Sequence, residues 1–137
     1  MSGLAGVLAD HITPGVYRWH AAYHVSDVQH AVEHAGWRFA YLDGHAVETA
    51  AEFHAAVAEA LSLPDHYART MDALDDCLSD ITGGDQRTIL LWDAWAPLAR
   101  AQQRTFTAAI EILRSRSSSL GVLLRGEGPD LGLPSLD

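Results

Sequence analysis

Four apolar residues follow Thr88 without interruption, Ile89-Leu90-Leu91-Trp92, and this segment constrains the fold more than any other feature. Its length is that of a β-strand, and no polar residue alternates with the apolar ones, so both sides of the strand must be covered. Strands of this kind are typical of parallel sheets, whose crossover connections place helices on the faces of the sheet. The segment therefore predicts a buried strand in an α/β domain.

Two further strands and several helices are predicted around this segment. Residues 37–42 are rich in aromatic side chains and end at an Asp43-Gly44 turn, and residues 120–124 form another short apolar run. Apolar residues at helical spacing predict helices at about residues 26–35, 49–61 and 70–81, and around Phe106, Ile110 and Leu113. The predicted fold is a small three-stranded parallel sheet with packed helices and an extra N-terminal helix.

The 137 residues are enough for one domain. We expect residues 1–36 to form an N-terminal arm that contains the extra helix, with a short anchor at Val16–Trp19. Residues 37–125 should form the α/β domain. Residues 126–137, which contain glycine and proline, should form a tail.

The charge of the chain limits its partners. All nine basic residues are arginine, against 18 acidic residues, so the net charge is −9 with neutral histidines. Such a charge opposes nucleic acid and anionic membranes and favours a basic protein as partner. The absence of lysine excludes a Schiff base and a lysine-containing phosphate loop.

Compartment and membrane association are predicted from the start of the chain and from its single cysteine. Cys77 cannot form an intramolecular disulfide, and the first residues lack the basic and apolar regions of a secretory signal. No apolar run approaches the roughly 20 residues of a membrane-spanning helix. We therefore expect a cytoplasmic protein.

The segment 70–81 carries acidic residues on one side of its predicted helix. At about 100° per residue, four aspartates lie within an arc of roughly 140°. They are Asp72, Asp75, Asp76 and Asp80, and they face away from the apolar stripe Met71, Leu74, Leu78 and Ile81. This pattern fits both a solvated face of an acidic protein and a surface that binds a cationic partner.

Two neighbouring segments, LSLPDHY at 61–67 and MDALDDCL at 71–78, resemble the binding loop and the following helix of the barstar family. Members of this family are intracellular inhibitors of barnase-like secreted ribonucleases. The order of predicted strands and helices over about residues 37–125 is also similar to that of the family. The resemblance implies a barstar-like fold and a bacterial inhibitor without catalytic activity or cofactor.

The resemblance also implies specific contacts with a ribonuclease. Asp76 would take the place of the substrate phosphate, and Asp72 would accept further hydrogen bonds one turn earlier on the helix. Other predicted contact residues are His66, Tyr67, Thr70, Asp75 and Asp80, and Glu111 on the later helix is a further candidate. The chain departs from the family pattern at His66, Ala68, Thr70 and Asp75, which favours a related guanyl-preferring microbial ribonuclease over barnase itself.

Other functions receive less support from the residues. His20 with His24 and His30 with His34 have i,i+4 spacing, but no HExxH motif or thiol ligand accompanies them, so we expect no metal site. Asp43 and Asp93 follow predicted strands, as in phosphoacceptor domains, yet the lysine of such domains is absent. The main alternative is an acidic barstar-like module that binds another basic protein.

Overall fold

The computed structural model describes residues 2–82, 84 and 86–136. Within these residues, helices and strands alternate along most of the chain. In chain order they are α1 (Ser2–Leu8), β1 (Val16–Arg18), α2 (Val25–His34), β2 (Arg38–Asp43), α3 (Ala50–Ala60), α4 (Met71–Thr82), β3 (Thr88–Asp93), α5 (Ala96–Ala101), α6 (Gln103–Arg114) and β4 (Leu120–Arg125). The predicted α/β class is therefore confirmed.

The strands form one parallel sheet in the order β1-β4-β3-β2. Strand β3 pairs with β2 and with β4 along its whole length, and Leu90 lies opposite Ala40 and Val122. Its central place in the sheet agrees with the uninterrupted apolar sequence that predicted it.

The prediction of three strands was wrong, because Val16–Arg18 forms a fourth strand at the edge of the sheet. Val16 lies opposite Val122 of β4. Three residues are too few to show an alternating pattern, and the partner strand lies far away in the sequence, so local periodicity could not reveal this pairing. A bridge between Arg18 and Ser135 then covers part of the outer side of β1.

Side chains of β3 alternate between two apolar cores. Leu90 and Trp92 belong to the core beneath α3, α4, α5 and α6. Ile89 and Leu91 belong to the core on the opposite face, to which α1 and α2 contribute. All four side chains are fully buried. Residues before position 37 thus supply most of the cover for one face of the sheet.

Helix α3 ends in a hydrogen-bonding pattern that sets the direction of the loop towards α4. The amides of Ser62 and Leu63 donate to the carbonyls of Glu59 and Ala58 at 3.3 and 2.9 Å. Ser62, the residue with a left-handed backbone in this motif, has a φ of 53°. Gly36 takes the equivalent position after α2, with a φ of 86°. A left-handed φ is more costly for serine than for glycine, so the start of the loop is strained.

We expect Ser62→Gly to raise the free energy of unfolding by about 0.5–1 kcal/mol, because relief of the left-handed strain exceeds the added entropy of the unfolded chain. The reverse change at the equivalent position, Gly36→Ser, should lower it, since nothing within 4 Å of a Cβ at Gly36 would offset the strain. Urea denaturation of both variants measures this. An unchanged or lower stability of Ser62→Gly would contradict the interpretation.

Candidate functional site

Thr70 caps the N-terminus of helix α4 with its side-chain hydroxyl. Its Oγ1 accepts a hydrogen bond from the amide of Ala73 at 3.1 Å, and its carbonyl accepts one from the amide of Leu74 at 2.9 Å. This is the hydrogen bonding of a helix N-cap residue. Thr70 is exposed, so it remains at the surface where the sequence predicted a contact while it also fixes the start of the helix.

Helix α4 has one buried side and one acidic side, as its sequence pattern predicted. Leu74 and Leu78 are fully buried in the core that α4 shares with α3 and α6. Asp72, Asp76 and Asp80 are exposed. The apolar side chains hold the helix in place, and the carboxylates point away from the protein.

Asp75 differs from the other three aspartates because it forms an ion pair. The Nη2 atom of Arg116, just after α6, donates to the Oδ1 atom of Asp75 at 2.9 Å and to its carbonyl oxygen at 3.2 Å. Among the described residues, no such ion pair involves Asp72, Asp76 or Asp80. Asp75 therefore joins α4 to the end of α6, while the other three carboxylates are exposed at the surface.

The structure brings together the aspartates of α4 and part of the preceding loop. His66 is exposed in the loop and stands beside Tyr67, which is buried. Ser79 is also exposed on the acidic side of α4, between the positions of Asp76 and Asp80. We call the exposed side chains of residues 64–70 and of Asp72, Asp76, Ser79 and Asp80 the acidic surface.

Ser79 was not among the contact residues predicted for this side of the helix, all of which are aspartates. Its helical spacing from Asp72 and Asp76 was the available signal. Glu111, the further candidate, is exposed on α6, and among the described residues no ion pair joins it to the acidic surface.

Tyr67 supports the loop from below. Its hydroxyl is hydrogen-bonded to the Nδ1 atom of His54 on α3, and its amide donates to the carbonyl of Pro64 at 2.9 Å. Both rings are nearly inaccessible to solvent. The sequence placed Tyr67 among the contact residues, and the structure shows that only 8% of it is exposed.

Burial keeps both members of this pair neutral near pH 7. It lowers the pKa of His54, with a smaller contribution from the positive charge of Arg69. It also raises the pKa of Tyr67 to about 12. The hydrogen bond between them is therefore made by an uncharged imidazole near pH 7.

A second polar cluster lies at the carboxyl ends of the strands. Arg125 donates to both carboxylate oxygens of Asp93, at 2.6 and 2.8 Å, and the hydroxyl of Tyr41 donates to Asp93 at 3.0 Å. Arg125 also donates to the carbonyls of Ala21 and Tyr23. Arg125 thus holds the segment before α2 against the sheet, and Asp93, the carboxylate considered as a phosphoacceptor, is paired with this arginine.

No group of three or more histidine, cysteine, aspartate or glutamate side chains suited to a metal ion is present in the part of the chain that the structure describes. The rings of His30 and His34 stack with centroids 6.1 Å apart. None of the helices in that part of the chain has the length and apolar character needed to cross a membrane.

Comparison with known proteins gave a family and several structures of similar fold. The family model described as barstar (barnase inhibitor) matches residues 37–129, which include the loop and α4. No curated protein matches the chain.

The structural matches have low sequence identity. The structure of Drosophila ORC bound to DNA is 17% identical with a TM-score of 0.64, over 90% of this chain and 36% of that chain. The ORC2 protein of Aeropyrum pernix, in ADPNP-ADP complexes, is 11% identical with a TM-score of 0.61, over 93% of this chain and 38% of that chain. This chain thus spans less than two fifths of either, and the likeness shows the fold alone.

We expect the stability of the protein to fall as the pH is lowered from 7 to 5, in part because of His54. Its pKa in the folded protein lies below the ordinary value of 6.5, so the unfolded chain takes up a proton first. The contribution of His54 is complete above pH 6.5 and is lost as the pH falls towards the folded pKa.

Urea denaturation at several pH values tests this expectation. His54→Phe and His54→Gln should both weaken the dependence of unfolding free energy on pH, whatever they do to stability at pH 7. Equal slopes in the parent and in both variants would contradict it.

Proposed function

This chain belongs to the barstar family, and we propose that it is a stoichiometric inhibitor of a secreted, guanyl-preferring microbial ribonuclease. Members of the family are inhibitors and not enzymes, which agrees with a chain whose candidate site is an exposed surface. We further propose that the protein acts in the cytoplasm of the bacterium that makes the ribonuclease.

The observation that carries the proposal is the exposure of Asp72, Asp76 and Asp80 on a helix fixed by its buried side. Like charges at i,i+4 spacing cost a few tenths of a kcal/mol per pair, so they do not serve the stability of α4. A cationic partner would turn this cost into a favourable interaction.

A ribonuclease offers suitable groups, because it must bind the phosphodiester of RNA with arginine, lysine or protonated histidine. A carboxylate on a rigid helix can accept charge-assisted hydrogen bonds from the same groups. In the proposed complex, Asp76 takes the place of the phosphate and Asp72 accepts further hydrogen bonds. His66 and Thr70 contact the rim of the active site. Asp75 shapes this contact surface from its ion pair with Arg116.

The test is a titration of guanyl-specific microbial ribonucleases with the protein, which follows cleavage of a fluorogenic RNA. Asp76→Ala should weaken inhibition by at least about 100-fold, because it leaves buried cations of the enzyme without a partner. Asp27→Ala is a matched control, since Asp27 is an exposed aspartate of α2 on the opposite face of the sheet.

Stoichiometric inhibition that is lost with Asp76→Ala and kept with Asp27→Ala would support the proposal. Inhibition that survives Asp76→Ala would contradict the docking geometry. If the parent inhibits none of the enzymes, the ribonuclease proposal fails, and an acidic module for another basic protein becomes the better interpretation of the same surface.

Asp80 should affect binding in a different way, because it lies two turns after Asp72, near the end of α4. A charge at the rim attracts the partner over a distance and stays hydrated in the complex. We expect Asp80→Ala to slow association and reduce its salt dependence, whereas Asp76→Ala speeds dissociation. Stopped-flow measurements at two salt concentrations separate these effects, and a faster dissociation of Asp80→Ala would contradict this assignment.

A further inference from the structure

One side chain of the acidic surface has the opposite charge. Arg69 is the only arginine between Leu61 and Ile81, a segment that otherwise carries only acidic charges and His66. It is exposed and stands directly before Thr70, the residue that caps α4. A partner that covers the acidic surface therefore also meets a guanidinium group.

The backbone of Arg69 lies in the left-handed region, with a φ of 57°. Glycine or asparagine adopts this conformation at lower cost than arginine. Unlike Ser62, Arg69 does not end a helix, so a helix C-terminal motif does not account for it. Strained backbone of this kind clusters at functional sites.

The charge of Arg69 is available to a partner. Among the ion pairs of the described residues, none involves Arg69. Its charge is close enough to contribute to the lowered pKa of His54. Arg69 thus presents an exposed guanidinium group in the loop directly before α4.

A purely cationic active site would repel this group. An enzyme that cleaves RNA through its 2′-hydroxyl also needs a base to remove the hydroxyl proton, and this base is a carboxylate in some enzymes and an imidazole in others. A carboxylate base lies close to the phosphate-binding cations because both act on one nucleotide. An inhibitor complementary to such a site needs one cation beside its carboxylates.

We propose that Arg69 determines which ribonucleases this protein inhibits, by pairing with the carboxylate that serves as general base in the target enzyme. This inference rests on the proposed function. It restricts the targets to ribonucleases with a glutamate or aspartate base and excludes those that use histidines alone. Asp76 and Arg69 then recognise two different catalytic groups of the same active site.

The experiment uses the ribonuclease that the parent inhibits most strongly, and a variant of that enzyme in which an amide replaces the carboxylate base. Dissociation constants are measured by calorimetry for the parent, Arg69→Ala, Arg69→Lys and Arg100→Ala. Arg100 is an exposed arginine on α5 and serves as the matched control. Circular dichroism confirms that each variant is folded.

Against the unmodified enzyme, Arg69→Ala should weaken binding by about ten-fold or more, because a charged hydrogen bond is lost. Arg69→Lys should keep part of the affinity, and Arg100→Ala should change it by less than about two-fold. Against the enzyme with the amide, Arg69→Ala should have little effect, since the carboxylate is already absent. This coupling distinguishes a direct pair from a general effect of charge.

Three results would overturn the inference about Arg69. The proposed function would survive each of them if inhibition is still lost with Asp76→Ala. They are unchanged or tighter binding of Arg69→Ala, an equal loss against both forms of the enzyme, and strong inhibition of an enzyme that has no carboxylate base. If the parent inhibits no ribonuclease of the panel, the proposed function fails, and this inference fails with it.

Discussion

Strand β3 lies between two apolar cores and is hydrogen-bonded along its whole length to both of its neighbours. Leu90 and Trp92 fill one core, and Ile89 and Leu91 fill the other. Truncation of one such buried side chain typically costs 2–5 kcal/mol, which is a large part of the stability of a small domain. Both helical layers therefore depend on the same four residues, and the acidic surface keeps its shape only while this strand stays in place.

The position of α4 shows how an unfavourable surface is maintained. Full burial of Leu74 and Leu78 contributes about 1.5–3 kcal/mol each. Repulsion along the exposed side costs only a few tenths of a kcal/mol per pair. The cap at Thr70 and the ion pair of Asp75 with Arg116 add further support at the start and middle of the helix. The protein can therefore present uncompensated carboxylates without losing the helix that carries them.

Local patterns in the sequence predicted most of the elements that position the site. The apolar run after Thr88 and the apolar stripe of α4 depend on neighbouring residues, so they can be recognised in short segments of the sequence. Pairing of Val16 with Val122 depends on residues far apart in the chain, and it was missed. The hydrogen bond between His54 and Tyr67 and the ion pair between Asp75 and Arg116 also join residues from different parts of the chain, and neither was predicted. The role of each aspartate in binding remains a prediction.

The order of the strands has a consequence for the synthesis of the protein. Strand β4 is the last of the four along the chain, yet it lies between β1 and β3 in the sheet. A growing chain on the ribosome can pair β2 with β3, but β1 has no neighbour until β4 has emerged. Parallel sheets with such distant pairings form slowly and leave apolar surface uncovered in the meantime. A partly made chain would thus be a target for chaperones and proteases, and the sheet that supports the acidic surface would be complete only after β4 has emerged.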